Sequence, residues 1–214
     1  LLEWYIEAGV DEAVAETPTH YFGLGLAKAA APAPAMAAES VAAESAPVSA
    51  PLHMTPSAAM ASARELADKA QSIAELEAMV RAFDGCAIKK TASQMVFSDG
   101  NPQAAVMIIG EAPGAQEDIQ GIPFCGPSGK LLDSMLAAIG LDRGGVFISN
   151  TVFWRPPGNR QPSMEETQTC LPFVEKLVAL AKPKLLILAG GTATTTLLQR
   201  DTSISRLRGR LYDY

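Results

Sequence analysis

An apolar run that stops at a glycine constrains the fold of this chain more than any other stretch. Residues 104–109 read AAVMII, and Gly110 then opens a loop rich in glycine, proline and acidic residues that extends to Gly129. A short run of β-branched and apolar residues closed by glycine is typical of an interior strand of a parallel sheet. In open α/β sheets, ligands bind beyond the carboxyl ends of such strands. We therefore expect the functional site in this loop.

Two more apolar runs follow the first one. Residues 145–154 read GVFISNTVFW and residues 184–191 read KLLILAGG, and a stretch with helical spacing comes after each of the three runs. Ser163 and Glu166 form a capping-box pattern that predicts the start of one of these helices. The alternation of strands and helices predicts a three-layer α/β/α fold with a small central parallel sheet.

Composition divides the chain into three parts. Residues 27–62 consist almost entirely of Ala, Pro, Ser and Glu without hydrophobic periodicity, which predicts a disordered linker. Residues 1–26 before it include the pattern of a short amphipathic helix. Helical spacing resumes at residue 63, and Ser72 followed by Glu75 predicts the start of a second helix. We therefore expect the folded domain over residues 63–214.

The overall composition restricts the class of protein. The chain of 214 residues is 48% hydrophobic, which is enough for one substantial core. No uninterrupted apolar stretch reaches the roughly 18 residues of a membrane span, and no signal-peptide pattern is present. Three cysteines without a secretion signal predict reduced thiols or metal ligands. We expect a monomeric cytoplasmic protein that does not contact a membrane.

Charge is distributed unevenly along the chain. The net charge is −6 overall, with a net of −7 over residues 1–82 and of +6 over residues 143–210. The basic segment suits a surface that faces phosphates, although lysines and arginines that only solvate helix faces would give the same pattern. Within it, Gly190, Gly191 and Thr192 predict a DNA-phosphate contact at a helix N-terminus, or simply a close approach of helix and strand. Arg208 is a further candidate phosphate contact.

Several motifs in the second half of the chain occur together and in a fixed order. They are GEAPGAQED at 110–118, GIPFCGPSGKLLD at 121–133, ISN at 148–150, RPPGNRQP at 155–162 and LRG at 207–209. In this order and spacing they resemble the family 4 uracil-DNA glycosylases of the uracil-DNA glycosylase superfamily, over roughly residues 83–210. The resemblance implies a DNA-repair hydrolase that flips uracil out of DNA and hydrolyses its N-glycosidic bond, with uracil-containing DNA as its partner.

The resemblance also implies two residues that recognise the base. Phe124 would stack on the flipped base, and Asn150, at the end of the second strand, would pair with the uracil edge. An amide both donates and accepts hydrogen bonds, so Asn150 can distinguish uracil from cytosine. The alternatives are that Phe124 is a core residue and that Asn150 caps the end of a strand.

The glycine loop supplies the remaining candidate residues. By the same resemblance, backbone amides near Gly110, Ala112 and Gly114 would receive the uracil carbonyls. Glu111 or Glu117 would orient a water molecule or face the positive charge that develops on the sugar. We favour Glu111, because it directly follows the strand, whereas Glu117 has the alternative role of starting a helix.

The chain departs from the family pattern at its metal site. Family 4 enzymes carry a [4Fe-4S] cluster on four cysteines, and the matching positions here are Phe83, Cys86, Trp154 and Cys170. A cubane cluster needs four thiolates or equivalent ligands, and neither Phe nor Trp binds iron. We therefore expect no cofactor, with the two aromatic rings filling the volume of the cluster as hydrophobic core.

A second departure concerns catalysis. The family's His-Pro-Ser-type motif, which follows a fourth strand, does not occur before Tyr214. The loss of one preorganised donor lowers a rate by about 10²–10³, so we expect these 214 residues to be a weak glycosylase of low stability. Two other functions remain open, a relative that binds damaged bases without cleaving them and an accessory protein that recruits a repair partner through residues 1–26.

Overall fold

The computed structural model describes residues 55–200 and 202–214. Its α-helices are α1 (Pro56–Lys69), α2 (Ile73–Ala82), α3 (Ala115–Gln120), α4 (Pro127–Ala138), α5 (Met164–Ala181), α6 (Gly191–Leu198) and α7 (Ile204–Leu207). Its strands are β1 (Asp99–Gly100), β2 (Val106–Gly110), β3 (Phe147–Asn150) and β4 (Leu185–Leu188). The predicted N-terminal helix and the first 28 residues of the predicted linker lie outside the described residues. Within the described ranges, no helix combines the length and apolar content needed to cross a bilayer.

The strands form one sheet in the order β1-β3-β2-β4. The three predicted strands are parallel, and Ile108 of β2 is paired with Ile148 of β3 and Ile187 of β4. The expected small parallel sheet is confirmed, and it carries one additional edge strand that the sequence does not predict, because β1 pairs antiparallel with β3. This strand is only two residues long and falls in a turn, so it carries no hydrophobic pattern that the sequence could reveal.

Helices cover β2 and β3 on both faces, as the sequence predicts, whereas Leu185 and Ile187 of the edge strand β4 are exposed. Met107, Ile109 and Phe147 belong to the larger core cluster, which includes buried residues of α1, α2 and α5. Ile108 and Ile148 belong to a smaller cluster on the opposite face with residues of α4. Because successive side chains of a strand point to opposite faces, these short strands contribute to both cores and create the three layers.

The folded domain begins earlier than the sequence predicts. Helix α1 starts at Pro56, and the side chain of Thr55 accepts a hydrogen bond from the Ala58 amide at 3.4 Å. Proline is favourable in the first turn of a helix, where its missing N–H is not needed. Ala59 and Ala63 are buried where α1 packs against α5. The predicted linker end at residue 62 is therefore wrong, because these alanines form a helix interface rather than a disordered segment.

Both predicted capping serines are confirmed. The Ser72 side chain accepts from the Glu75 amide at 3.2 Å at the start of α2. Ser163 and Glu166 form the reciprocal capping box at the start of α5. These caps satisfy amides that a helix N-terminus would otherwise leave without partners.

Candidate active site

The candidate site lies at the carboxyl edge of the parallel strands. β2 ends at Gly110 and β3 ends at Asn150, and these two residues are partners in the sheet. The amide of Thr151 donates to the Gly110 carbonyl at 2.9 Å, so the ladder continues one residue beyond the strands. The glycine loop after β2 and the start of α6 after β4 complete this edge.

Phe124 and Asn150 meet above Gly110. A Cβ atom added to Gly110 would lie 2.5 Å from Cζ of Phe124 and 2.6 Å from Oδ1 of Asn150. Both side chains therefore contact the glycine backbone, and only glycine leaves room for them at this position. Phe124 is half-buried and packs against the smaller core cluster. The structure brings together the two residues that the sequence selects as the base-recognition pair.

Asn150 has a buried donor without a partner. The residue is 2% exposed, and its Nδ2 atom has no hydrogen-bond acceptor among the described residues. Leaving a buried donor unsatisfied costs about 1–3 kcal/mol, so native structures rarely keep one without a reason. A carbonyl oxygen of a bound ligand would provide the missing acceptor.

Glu111 faces the same edge from the other side of β2. Its Oε2 atom accepts a hydrogen bond from Oγ1 of Thr192 at 2.5 Å, and Thr192 in turn accepts from Nε2 of Gln161 at 2.7 Å. Glu111 is half-exposed. Its carboxylate is therefore fixed by the hydrogen bond from Thr192 but is not enclosed in the core. Thr192 is 9% exposed, and its hydroxyl donates its hydrogen bond to Glu111. This arrangement argues against Thr192 as a phosphate ligand.

Glu117 has a structural position. It is 7% exposed, and its carboxylate accepts from the amides of Gly114 at 3.1 Å and Gly126 at 2.8 Å. The carboxylate therefore links two parts of the glycine loop that are separated in sequence, at Gly114 and at Gly126. The Gly114 amide is occupied by this bond, so it does not offer a free donor to a uracil carbonyl. Of the two predicted acids, Glu111 is the one whose carboxylate remains accessible from the site.

Arg143 is the residue that the sequence reasoning missed. Its Nη2 atom donates to the Phe124 carbonyl and its Nη1 atom donates to the Pro123 carbonyl at 3.2 Å. The guanidinium also pairs with Asp99 at 2.6 Å and Asp133 at 2.9 Å. In the sequence, Arg143 stands in an ordinary polar turn before β3. Only the fold shows that it contacts the loop carrying Phe124.

The four positions that match the cluster ligands lie in the larger core. Phe83, Cys86, Trp154 and Cys170 are all at most 4% exposed. The Cys170 thiol donates to the Cys86 sulfur at 3.8 Å. This contact lowers the pKa of Cys86, whereas the same contact and burial raise the pKa of Cys170 well above its usual range.

These residues do not fit a [4Fe-4S] cluster. Two thiols supply half of the ligands that a cubane needs. The ring of Phe83 packs edge-on against Phe173 with centroids 5.2 Å apart, and Trp154 packs edge-on against Phe153 at 6.2 Å. Among the described residues, no group of three or more Cys, His, Asp and Glu is arranged to hold a metal ion.

Comparisons with known proteins agree with this geometry. Residues 97–213 match the family model of the uracil DNA glycosylase superfamily. The chain is 37% identical over 142 residues to the type-4 uracil-DNA glycosylase of Pyrobaculum aerophilum, covering 64% of this chain and 72% of that protein. It is 38% identical over 132 residues to the enzyme of the same name from Archaeoglobus fulgidus, covering 60% and 66%. For the enzyme of that name from Saccharolobus solfataricus, the values are 39% over 140 residues, 63% and 65%. The chain thus spans about two thirds of the length of these relatives.

Proposed function

The chain belongs to the uracil DNA glycosylase superfamily, and on that premise we propose that it is a DNA-repair glycosylase that hydrolyses the N-glycosidic bond of uracil in DNA. The observation that carries the proposal is the buried side chain of Asn150, whose Nδ2 donor has no partner among the described residues and whose Oδ1 atom meets the half-buried ring of Phe124 above Gly110. A stacking surface next to an amide is what a site for an extruded pyrimidine requires.

Base recognition follows from these two side chains. A uracil that leaves the DNA stack loses its neighbours, and the Phe124 ring replaces them on one face of the base. Asn150 can then donate from Nδ2 to the uracil O4 atom and accept from N3–H, a pair of contacts that cytosine cannot reproduce. Burial of Asn150 strengthens the discrimination, because a wrong base would leave the buried amide without partners.

Bond cleavage depends on charge stabilisation. As the bond between C1′ and N1 breaks, its electron pair leaves with uracil and the sugar becomes positively charged. The Glu111 carboxylate, held by Thr192, faces that charge or orients the water that adds to C1′. Glu117 supports the reaction indirectly, because its bonds to Gly114 and Gly126 shape the loop.

The protein is expected to release uracil from a single-stranded oligonucleotide that contains one deoxyuridine, and to leave matched cytosine and thymine oligonucleotides intact. Glu111→Gln should lower the single-turnover rate by about 10²-fold, because it removes the negative charge opposite the developing cation. Thr192→Val should lower it by about tenfold, because the carboxylate loses its hydrogen-bond donor, and Thr192→Ser should restore most of the rate.

Thr195→Val is the matched control for these variants. Thr195 lies on the same helix and is exposed, and its hydroxyl donates to the Gly191 carbonyl at 3.0 Å. This variant should release uracil at the parental rate. Full activity of Glu111→Gln would remove Glu111 from the mechanism, and release of cytosine at the uracil rate would contradict the assigned specificity.

Contacts with the DNA backbone and the cellular setting stay predictions. Arg208, at the end of α7, and Gly191, at the start of α6, are exposed and remain our phosphate contacts, together with Gly190. The cytoplasmic location, the monomeric state and a partner site within residues 1–26 likewise stay predictions.

We further infer that the [4Fe-4S] cluster of the family is lost from this chain. Protein purified without oxygen is expected to be colourless, with no absorbance band near 400 nm and no bound iron, because Phe83 and Trp154 fill positions that would need thiolates. Iron and sulfide determination on the same sample provides the measurement. A brown protein with about four irons per chain would overturn the inference.

A further inference from the structure

Phe124 has a backbone conformation that needs an external support. Its φ angle is +53°, in the left-handed region that bulky residues with a Cβ atom rarely adopt. Such conformations persist where the surrounding structure holds them, and they concentrate at functional sites. The conformation directs the Phe124 ring over Gly110 and Asn150.

Arg143 holds the backbone at this point. Its guanidinium donates to two successive carbonyls, those of Pro123 and Phe124. The guanidinium is itself fixed by Asp99 of β1 and Asp133 of α4. One side chain thus joins the sheet edge, a helix and the Phe124 peptide.

Close packing restricts the Phe124 carbonyl from the opposite direction. A Cβ atom on Gly129 would lie 1.7 Å from this oxygen, so the first turn of α4 approaches it as closely as a glycine allows. The carbonyl is therefore confined between Gly129 and Arg143. We propose that Arg143 is a positioning residue for uracil recognition, which holds the Phe124 peptide so that the ring is oriented to stack on the base. This inference rests on the proposed function of the site.

Lysine cannot replace arginine in this arrangement. An ammonium group keeps the positive charge, but it lacks the planar fork that reaches two carbonyls and two carboxylates together. Arg143→Lys therefore tests geometry at constant charge. Arg81→Lys is the matched control, because Arg81 is exposed on α2 and pairs only with Glu77 among the described ion pairs, at 2.8 Å.

The test measures the affinity for oligonucleotides in which 2′-fluoro-2′-deoxyuridine resists hydrolysis, relative to the same oligonucleotides with thymine. Arg143→Lys is expected to lower the preference for uracil about tenfold, whereas Arg81→Lys should leave it unchanged. In a Phe124→Ala background, Arg143→Lys should have no further effect, because the ring through which Arg143 acts is gone. Equal tenfold losses in both backgrounds would overturn the proposal and leave Arg143 with a general structural role.

Amide hydrogen exchange separates this proposal from the proposed function. The Gly126 amide is buried and donates to Glu117 at 2.8 Å, so it reports on the loop without any ligand. Arg143→Lys should accelerate the exchange of the Gly126 amide at least tenfold. The exchange of the Gly110 amide, at the end of β2, should be unaffected. If the parental protein shows no preference for uracil, the proposed function fails, and the exchange still decides whether Arg143 positions the loop. Unchanged exchange would overturn the positioning role.

Discussion

Asn150→Ala is expected to slow the release of uracil by about 10³-fold. The side chain is buried at the end of β3, and its Nδ2 donor has no acceptor within the described part of the chain. In the proposed function, uracil supplies the acceptor, and the contact strengthens as negative charge develops on the departing base. Alanine removes this contact and leaves the O4 atom of the bound uracil without a donor.

Affinity for DNA should change little in the same variant. Contacts with the phosphate backbone carry most of the affinity for nucleic acid, and Asn150 is too deeply buried to reach a phosphate. The comparison therefore needs two measurements, the single-turnover release of uracil and the dissociation constant for DNA without uracil. Asn101→Ala serves as a control, because Asn101 is exposed in the turn after β1, where its side chain accepts from the Gln103 amide at 2.9 Å.

Asn150→Asp tests recognition at nearly constant volume. A carboxylate accepts but cannot donate while ionised, so it repels the uracil O4 atom and offers an acceptor to the amino group of cytosine. We expect release of uracil to fall about as far as in Asn150→Ala. Parental release by both variants would remove Asn150 from the site. Binding of uracil-containing DNA by the parental protein without any release of uracil would favour the alternative of a protein that binds damaged bases without cleaving them.

The fold illustrates which features local sequence records. The runs that became β2 and β3 are apolar because both faces of the sheet are covered there, whereas Leu185 and Ile187 of the edge strand β4 are exposed on one face. The capping serines precede their helices, as short-range hydrogen bonding requires. The sequence does not predict β1, because a strand of two residues that is held by pairing with β3 needs no hydrophobic pattern of its own. The part of helix α1 before residue 63 was not predicted for a different reason, since its alanines suit a close helix interface and a flexible linker equally well.

The residues of the candidate site also differ in how far local sequence predicts them. Asn150 is the last residue of β3, so topology places it at the carboxyl edge of the sheet, whereas its pairing with Phe124 was implied by the resemblance to the family. The roles of Thr192, Arg143 and Glu117 depend on which groups meet across the fold, at separations of 81, 19 and 9 residues respectively. Composition and residue spacing carry no information about such long-range contacts. For this reason the sequence predicted a phosphate contact at Thr192 and did not indicate a role for Arg143.

Trp154→Ala is expected to lower the free energy of unfolding by about 3–5 kcal/mol, the usual range for removing a large buried aromatic side chain. Trp154 is 2% exposed, and its ring packs against Phe153 while the Lys89 ammonium lies 5.8 Å from the ring centroid. Truncation leaves a cavity in the core where the family carries its cluster. The midpoint of thermal unfolding should fall by roughly 10 °C.

Urea denaturation, monitored by circular dichroism, measures this loss of unfolding free energy. Met164→Ala is the control. Met164 is 80% exposed at the start of α5, and its truncation should change stability by at most about 0.5 kcal/mol. Trp154→Phe keeps most of the apolar volume and should recover more than half of the loss. If Trp154→Ala were as stable as the parental protein, the ring would not contribute to the core at the position that matches a cluster ligand of the family, and the proposal that aromatic packing replaces the cluster would fail.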